Sequence, residues 1–155
     1  MVKESKIKKH INFDYDLKKF SNSLFENIND TNILVIGGAG TIGTSYIKQI
    51  LKFKPSKITV VDINENGLTE LTRDLRSSNL LDYNPEYITY PVNLLSDTFD
   101  KIFNSETWQV VANFSAHKHV RSEKDKISVE ALIKNNVFGA MKLLNLCEVN
   151  PPKYF

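Results

Sequence analysis

The chain has a single cysteine, Cys147, among its 155 residues, which excludes an internal disulfide; its place among Leu143, Leu144 and Leu146 makes it a core thiol. No apolar run approaches the roughly 18 residues that a membrane span requires, and the N-terminus lacks the continuous apolar centre of a signal peptide. Residence in the cytoplasm is the expectation. Excess charge is small: the net value is +2, and the positive residues are scattered apart from Lys3, Lys6, Lys8 and Lys9, which read as a solvated tail. No basic face argues for nucleic acid. His117 and His119 stand two apart with no carboxylate or thiol next to them in sequence, so no metal site is expected. The composition, 41% hydrophobic and 25% charged, is that of one globular domain.

What is present in strength is Ile33-Leu34-Val35-Ile36-Gly37-Gly38-Ala39-Gly40-Thr41-Ile42-Gly43, an apolar run that breaks into glycines. A buried parallel strand is apolar on both faces, which suits Ile33 to Ile36. The glycines then permit a turn tight enough for phosphate oxygens to approach main-chain N–H groups at the start of a helix. Ile42, Tyr46, Ile47, Ile50 and Leu51 share one face of that helix, and a second apolar run, Ile58 to Val61, ends in Asp62. This acid lies near the roughly 20-residue offset at which a carboxylate accepts hydrogen bonds from an adenosine ribose. A carboxylate there repels a 2′-phosphate, so NAD is preferred over NADP, and replacing Asp62 is expected to shift that preference. The competing reading is a cap for the helix holding Leu68, Leu71 and Leu75, which Asp62-Ile63-Asn64 would begin.

Alternation continues with a third strand near Tyr87 to Val92 and a fourth at Trp108 to Phe114. A long helix is expected over about Ser128 to Val149, with Val129, Ile133, Val137, Ala140 and Leu144 on one face. Parallel strands joined by right-handed crossovers follow, in the order 3-2-1-4 of a doubly wound sheet. Pro91 fits a third strand at the sheet edge. Pro151-Pro152 ends the long helix, and Lys153-Tyr154-Phe155 reads as the start of a fifth strand. The expected fold is thus α/β, the first half of a Rossmann-type sheet, at residues 31–155. Residues 1–30 form an extension whose Leu17, Phe20, Leu24, Phe25 and Ile28 recur at helical spacing; the sequence leaves open whether it packs on its own domain or on a neighbour. Asn136 sits beside the apolar stripe of the long helix and needs partners, either backbone of the fourth strand or an active-site water.

Together, the glycine turn, Asp62, Ser115-Ala116-His117-Lys118-His119-Val120 and Asn135-Asn136-Val137-Phe138-Gly139 resemble the extended short-chain dehydrogenases. Among these the match is to the CapD-like nucleotide-sugar 4,6-dehydratases of polysaccharide biosynthesis. The resemblance covers about Thr31 to Phe155. It implies that Gly37, Gly40, Thr41, Ile42 and Gly43 bind pyrophosphate and that Asp62, with Ile63 and Asn64, lies at the adenosine ribose. Asn93 and Leu94 would border the adenine, and Phe114, Ser115 and Ala116 the nicotinamide. Asn93 stands where many relatives carry aspartate. Beside this, a cation after the fourth strand puts Lys118, with His119, in reach of cofactor ribose or a substrate phosphate; the alternative is a solvated turn. The implied chemistry is redox-neutral: hydride leaves sugar C4 for NAD, water leaves from C5 and C6, and hydride returns to C6. The implied substrate is a UDP-N-acetylhexosamine such as UDP-N-acetylglucosamine, and the implied full-length protein is a homo-oligomer.

In the family the proton-transfer groups follow the fifth strand, so none is assigned here, and the 155-residue chain alone is expected to be inactive. Tyr15 to Lys19 matches Tyr-x-x-x-Lys but precedes the first strand and reads as coincidence. Two other readings stay open: a nucleotide-sugar 4-epimerase or other extended dehydrogenase, and a non-enzymatic NAD-binding module. The long helix is also expected to expose apolar surface.

Overall fold

The computed structural model describes residues 13–117 and 125–155. Four strands, β1 (Asn32–Ile36), β2 (Lys57–Asp62), β3 (Glu86–Pro91) and β4 (Val110–Asn113), form one parallel sheet in the order β3-β2-β1-β4. The register sets Ile36 level with both Val61 and Asn113, so the three strand ends that matter below finish side by side. The fifth strand begins as expected: Tyr154 bridges Val110 in parallel, its N–H donating to Gln109 O at 2.9 Å while Val111 N–H donates to Tyr154 O at 3.0 Å.

The helices are α1 (Phe13–Lys19), α2 (Ser21–Ile28), α3 (Thr41–Ile50), α4 (Glu65–Ser77), α5 (Asp97–Asn104), α6 (Lys126–Ile133) and α7 (Gly139–Val149). Central β1 is apolar from Ile33 to Ile36 because both of its faces are covered. Ile33 and Val35 meet Ile47, Leu68, Leu71 and Leu75 on one side, while Leu34 and Ile36 meet Phe99, Phe103, Trp108 and Leu143 on the other. The edge strand β3 is half exposed, and Pro91 ends it, opposite Asp62.

Thr59 is an exception within this core. It is buried in β2 and its hydroxyl has no hydrogen-bond partner. Thr59→Val keeps the shape and removes the orphaned hydroxyl, so it is expected to raise unfolding free energy by about 1 kcal/mol. Urea denaturation measures this, and a less stable variant would show that the hydroxyl is satisfied in solution.

Three expectations need correction. The extension is two helices broken at Phe20, not one; α2 packs on its own domain through Ile28 and Leu24, and Asn27 accepts from the Tyr154 hydroxyl at 2.6 Å. Helix α5 carried no expectation at all, although Ser96 caps it by accepting from Phe99 N–H, and Phe99, Ile102 and Phe103 bury one face. The long helix runs through α6 and α7 with a π turn at Lys134–Phe138, but it presents the other face to the sheet. Gly139 and Leu143 are buried, whereas Val129, Ile133, Val137 and Leu144 are 42 to 52% exposed. Cys147 lies at the rim of this contact, half-buried rather than in the core, with its thiol pKa raised by burial.

Candidate functional site

The C-terminal ends of β1, β2 and β4 open into a cavity of about 830 Å³. Its floor is the glycine turn, where three glycines answer to three different constraints. Gly37 has φ 74°, and a Cβ on it would lie 2.5 Å from Ser115 N and 2.7 Å from Phe114 C, so β1 and β4 can converge only on a bare backbone. Gly43 lies under the turn, where a Cβ would meet Gly37 O at 2.4 Å. Gly40 has φ −75° and only Gly37 O, at 3.5 Å, near its Cβ direction. Neither backbone nor packing demands glycine at 40; the remaining constraint is whatever enters the cavity from that side.

Gly40 is also the N-cap of α3 and offers no side chain to cap it. The N–H groups of Thr41, Ile42 and Gly43 therefore have no intrahelical acceptor and lie at the positive end of a ten-residue helix beside the cavity. Such an end accepts an anion.

Asp62, at the tip of β2, uses both carboxylate oxygens: Oδ2 accepts from Ala39 N–H at 2.9 Å and Oδ1 from Asn64 N–H at 3.0 Å. The capping role falls to the neighbour, since Asn64 Oδ1 accepts from Gly67 N–H at 2.9 Å in the first turn of α4. Each carboxylate oxygen has further lone pairs, so the acid can accept from a ligand hydroxyl while holding the turn.

The opposite wall follows β4. Asn113 Oδ1 accepts from Ser115 N–H at 3.0 Å and from the Ser115 hydroxyl at 2.6 Å, while Phe114 N–H reaches Ile36 O at 2.8 Å; the strand thus ends in a locked bend. Below it Tyr46 stacks at a tilt on Phe114, with ring centroids 5.0 Å apart. Burial pushes the Tyr46 hydroxyl pKa up to about 12, so it stays protonated near neutral pH. Asn136, in the π turn, grips the chain beyond the bend: its Oδ1 accepts from His117 N–H at 2.8 Å and its Nδ2 donates to His117 O at 3.0 Å. Its partners are backbone, as one expectation had it, but four residues past the end of β4 rather than within it.

On the third side Asn93 turns its Oδ1 back to Leu95 N–H at 2.8 Å, and Leu94 is buried where Gly139 lets the long helix approach. The structure thus brings Gly37, Gly40, Thr41, Ile42, Gly43, Asp62, Ile63, Asn64, Asn93, Leu94, Phe114, Ser115 and Ala116 to one cavity. Lys118 and His119 lie outside the described residues. Tyr15 and Lys19 are on α1, apart from the cavity lining. Sequence reasoning missed Ser128, Ala131, Leu132 and Asn135, which close the cavity from α6 and the π turn. The signal available was the cluster of small and amide side chains beside the apolar stripe. Among the described residues, no three His, Cys, Asp or Glu side chains gather as metal ligands do.

These residues fit a dinucleotide. A helix end suited to an anion and a carboxylate with spare acceptor capacity flank one open space, and that space is bounded by a glycine whose missing side chain nothing in the protein explains. The parallel order, with its glycine turn at the switch between β1 and β4, defines the Rossmann-type half of an extended short-chain dehydrogenase. The chain belongs to the polysaccharide biosynthesis protein family, whose profile matches residues 33–154. It is 26% identical over 119 residues to the capsular polysaccharide biosynthesis protein CapD of Staphylococcus aureus, covering 72% of this chain and 18% of CapD. Among solved structures, Pen from Bacillus thuringiensis superposes with a TM-score of 0.69 at 25% identity, covering 81% of this chain and 37% of Pen. WbmF from Bordetella bronchiseptica, solved with NADH, gives 0.61 at 17% identity, covering 82% of this chain and 34% of WbmF. The chain therefore spans about a third of these solved proteins, and less of CapD.

Proposed function

We propose that this chain is the NAD-binding part of a nucleotide-sugar 4,6-dehydratase that takes a UDP-N-acetylhexosamine. The observation that carries the cofactor assignment is Gly40, open to the cavity at the N-terminus of α3 and needed as glycine by no contact within the protein. In this reading the α3 amides hold the pyrophosphate, Asp62 accepts from the adenosine ribose, and the bend at Phe114 to Ala116 leaves room for the nicotinamide end. Bound NAD supplies the hydride acceptor that sugar chemistry at C4 requires. Support for the substrate class comes from the family and from WbmF, similar in fold, which has also been solved with NAD+ and UDP. Lys118 and His119 remain the proposed substrate-side groups.

The test is a calorimetric titration with NAD. Gly40→Ala is expected to melt at the temperature of the unaltered protein yet to bind NAD at least about tenfold more weakly, because a methyl group occupies the approach of the phosphates. Unchanged affinity would remove the cofactor assignment. The activity itself is read on the complete protein with UDP-N-acetylglucosamine: a dehydratase releases a 4-keto-6-deoxy sugar, an epimerase only inverts C4.

A further inference from the structure

Gly67 is the third residue of α4, has an ordinary helical backbone and does not line the cavity. Glycine is a poor choice in a helix, so its presence calls for a reason. The structure supplies one. A Cβ on Gly67 would lie 2.9 Å from Ala39 Cβ and 2.8 Å from Asn64 Nδ2, so the first turn of α4 packs directly against the glycine turn. The same two segments are joined by hydrogen bonds: Ala39 N–H and Asn64 N–H both donate to Asp62, and Gly67 N–H donates to Asn64. The turn is thereby held from outside the ligand cavity by one carboxylate and one close backbone contact.

Resting on the NAD reading above, we propose that Asp62 and Gly67 together position the phosphate-binding turn, which makes recognition of the ribose and of the pyrophosphate one coupled element. Asp62 then has a second role besides accepting from the ribose, and Gly67 is a positioning residue that never touches the cofactor. A consequence is that changing Asp62 to alter the preference between NAD and NADP also loosens the turn that binds the phosphates of both. Charge alone argues the other way, since removing a carboxylate beside an anion site should strengthen anion binding. The two effects have opposite signs and can be separated.

The experiment has two arms. In the unliganded protein, amide exchange at Ala39 is followed by NMR; Asp62→Ala is expected to speed it by at least about tenfold, because the hydrogen bond that closes that N–H is gone. In the second arm NAD binding is measured by calorimetry alongside thermal melting. Gly67→Ala is expected to bind NAD about tenfold more weakly with an unchanged or raised melting temperature, since alanine favours the helix while displacing the turn. Gly67→Ala combined with Ala39→Gly, which removes the opposing methyl, should recover most of that loss. Wild-type affinity in Gly67→Ala, or unchanged exchange at Ala39 in Asp62→Ala, overturns the proposal. Should the unaltered protein bind no NAD, the cofactor reading fails by itself, while the exchange arm still decides whether Asp62 holds the turn.

Discussion

Gly37→Ala is expected to cost about 4 kcal/mol of folding stability, the largest loss of any glycine substitution in the cavity floor. Two penalties combine. The residue sits at φ 74°, a left-handed conformation that costs a residue with a Cβ roughly 1 kcal/mol or more. Its Cβ would also fall within 2.8 Å of Phe114 C, Ser115 N and Ser115 Cα, all backbone, so no side-chain rotation relieves the overlap. Relief requires β1 and β4 to part, which breaks the hydrogen bond from Phe114 N–H to Ile36 O. Urea unfolding of Gly37→Ala beside Gly40→Ala makes the comparison: the first should lose about 4 kcal/mol and the second almost none. A Gly37 variant within about 1 kcal/mol of the unaltered protein would mean that the turn reshapes freely.

That contrast also marks how far the sequence could be read. The glycines, Asp62 and the four strands were legible because each obeys a local rule, so the strand order followed from spacing, while the thirteen residues brought to one cavity were named from the resemblance to the extended short-chain dehydrogenases. Which glycine serves the backbone and which the ligand was not legible, because that depends on how closely β4 approaches Gly37, a contact across more than seventy positions of chain. The division of labour between Asp62 and Asn64 was hidden for the same kind of reason. Either could have capped α4, and only the placement of Ala39 N–H shows why the acid faces the turn and the amide takes the cap.

The long helix formed and exposes apolar surface as expected, but which side it turns to the sheet was not legible. An apolar stripe normally faces the core, and Val129, Ile133, Val137, Ala140 and Leu144 made such a stripe. In the structure the inward line is instead Ser128, Leu132, Asn136, Gly139, Leu143 and Cys147, none fully exposed. This line has two tasks other than filling space: Asn136 must hold His117, and Gly139 must let the helix come within reach of Leu94. A local rule about hydrophobicity fails where a surface is shaped for a site.

Leu143 is fully buried among Val111, Phe99 and Trp108, whereas its neighbour Leu144 is 52% exposed. Leu143→Ala is expected to cost about 3 kcal/mol, through lost apolar contact and the cavity left behind. Leu144→Ala should stay within about 0.5 kcal/mol of the unaltered chain, because an exposed side chain surrenders little on truncation. The other contacts that hold α7 are Gly139 packed on Leu94, the Lys142–Asp100 ion pair at 2.7 Å, the Lys142 bond to Ser96 O at 2.8 Å, the Asn150 Nδ2 bond to Glu106 O at 2.9 Å, and partial burial of Leu146 and Cys147. Loss of Leu143 is therefore expected to loosen α7, and through it Asn136 and the wall that α6 lends to the cavity, so NAD binding should weaken in Leu143→Ala and not in Leu144→Ala. The exposed side of the same helix, with Ile133, Val137, Met141 and Leu144, should bind a hydrophobic dye in the 155-residue chain, and Leu144→Ala should reduce that signal. A larger loss in Leu144→Ala than in Leu143→Ala would place the helix in the opposite rotation, with the apolar stripe inward, and equal losses would overturn the predicted contrast.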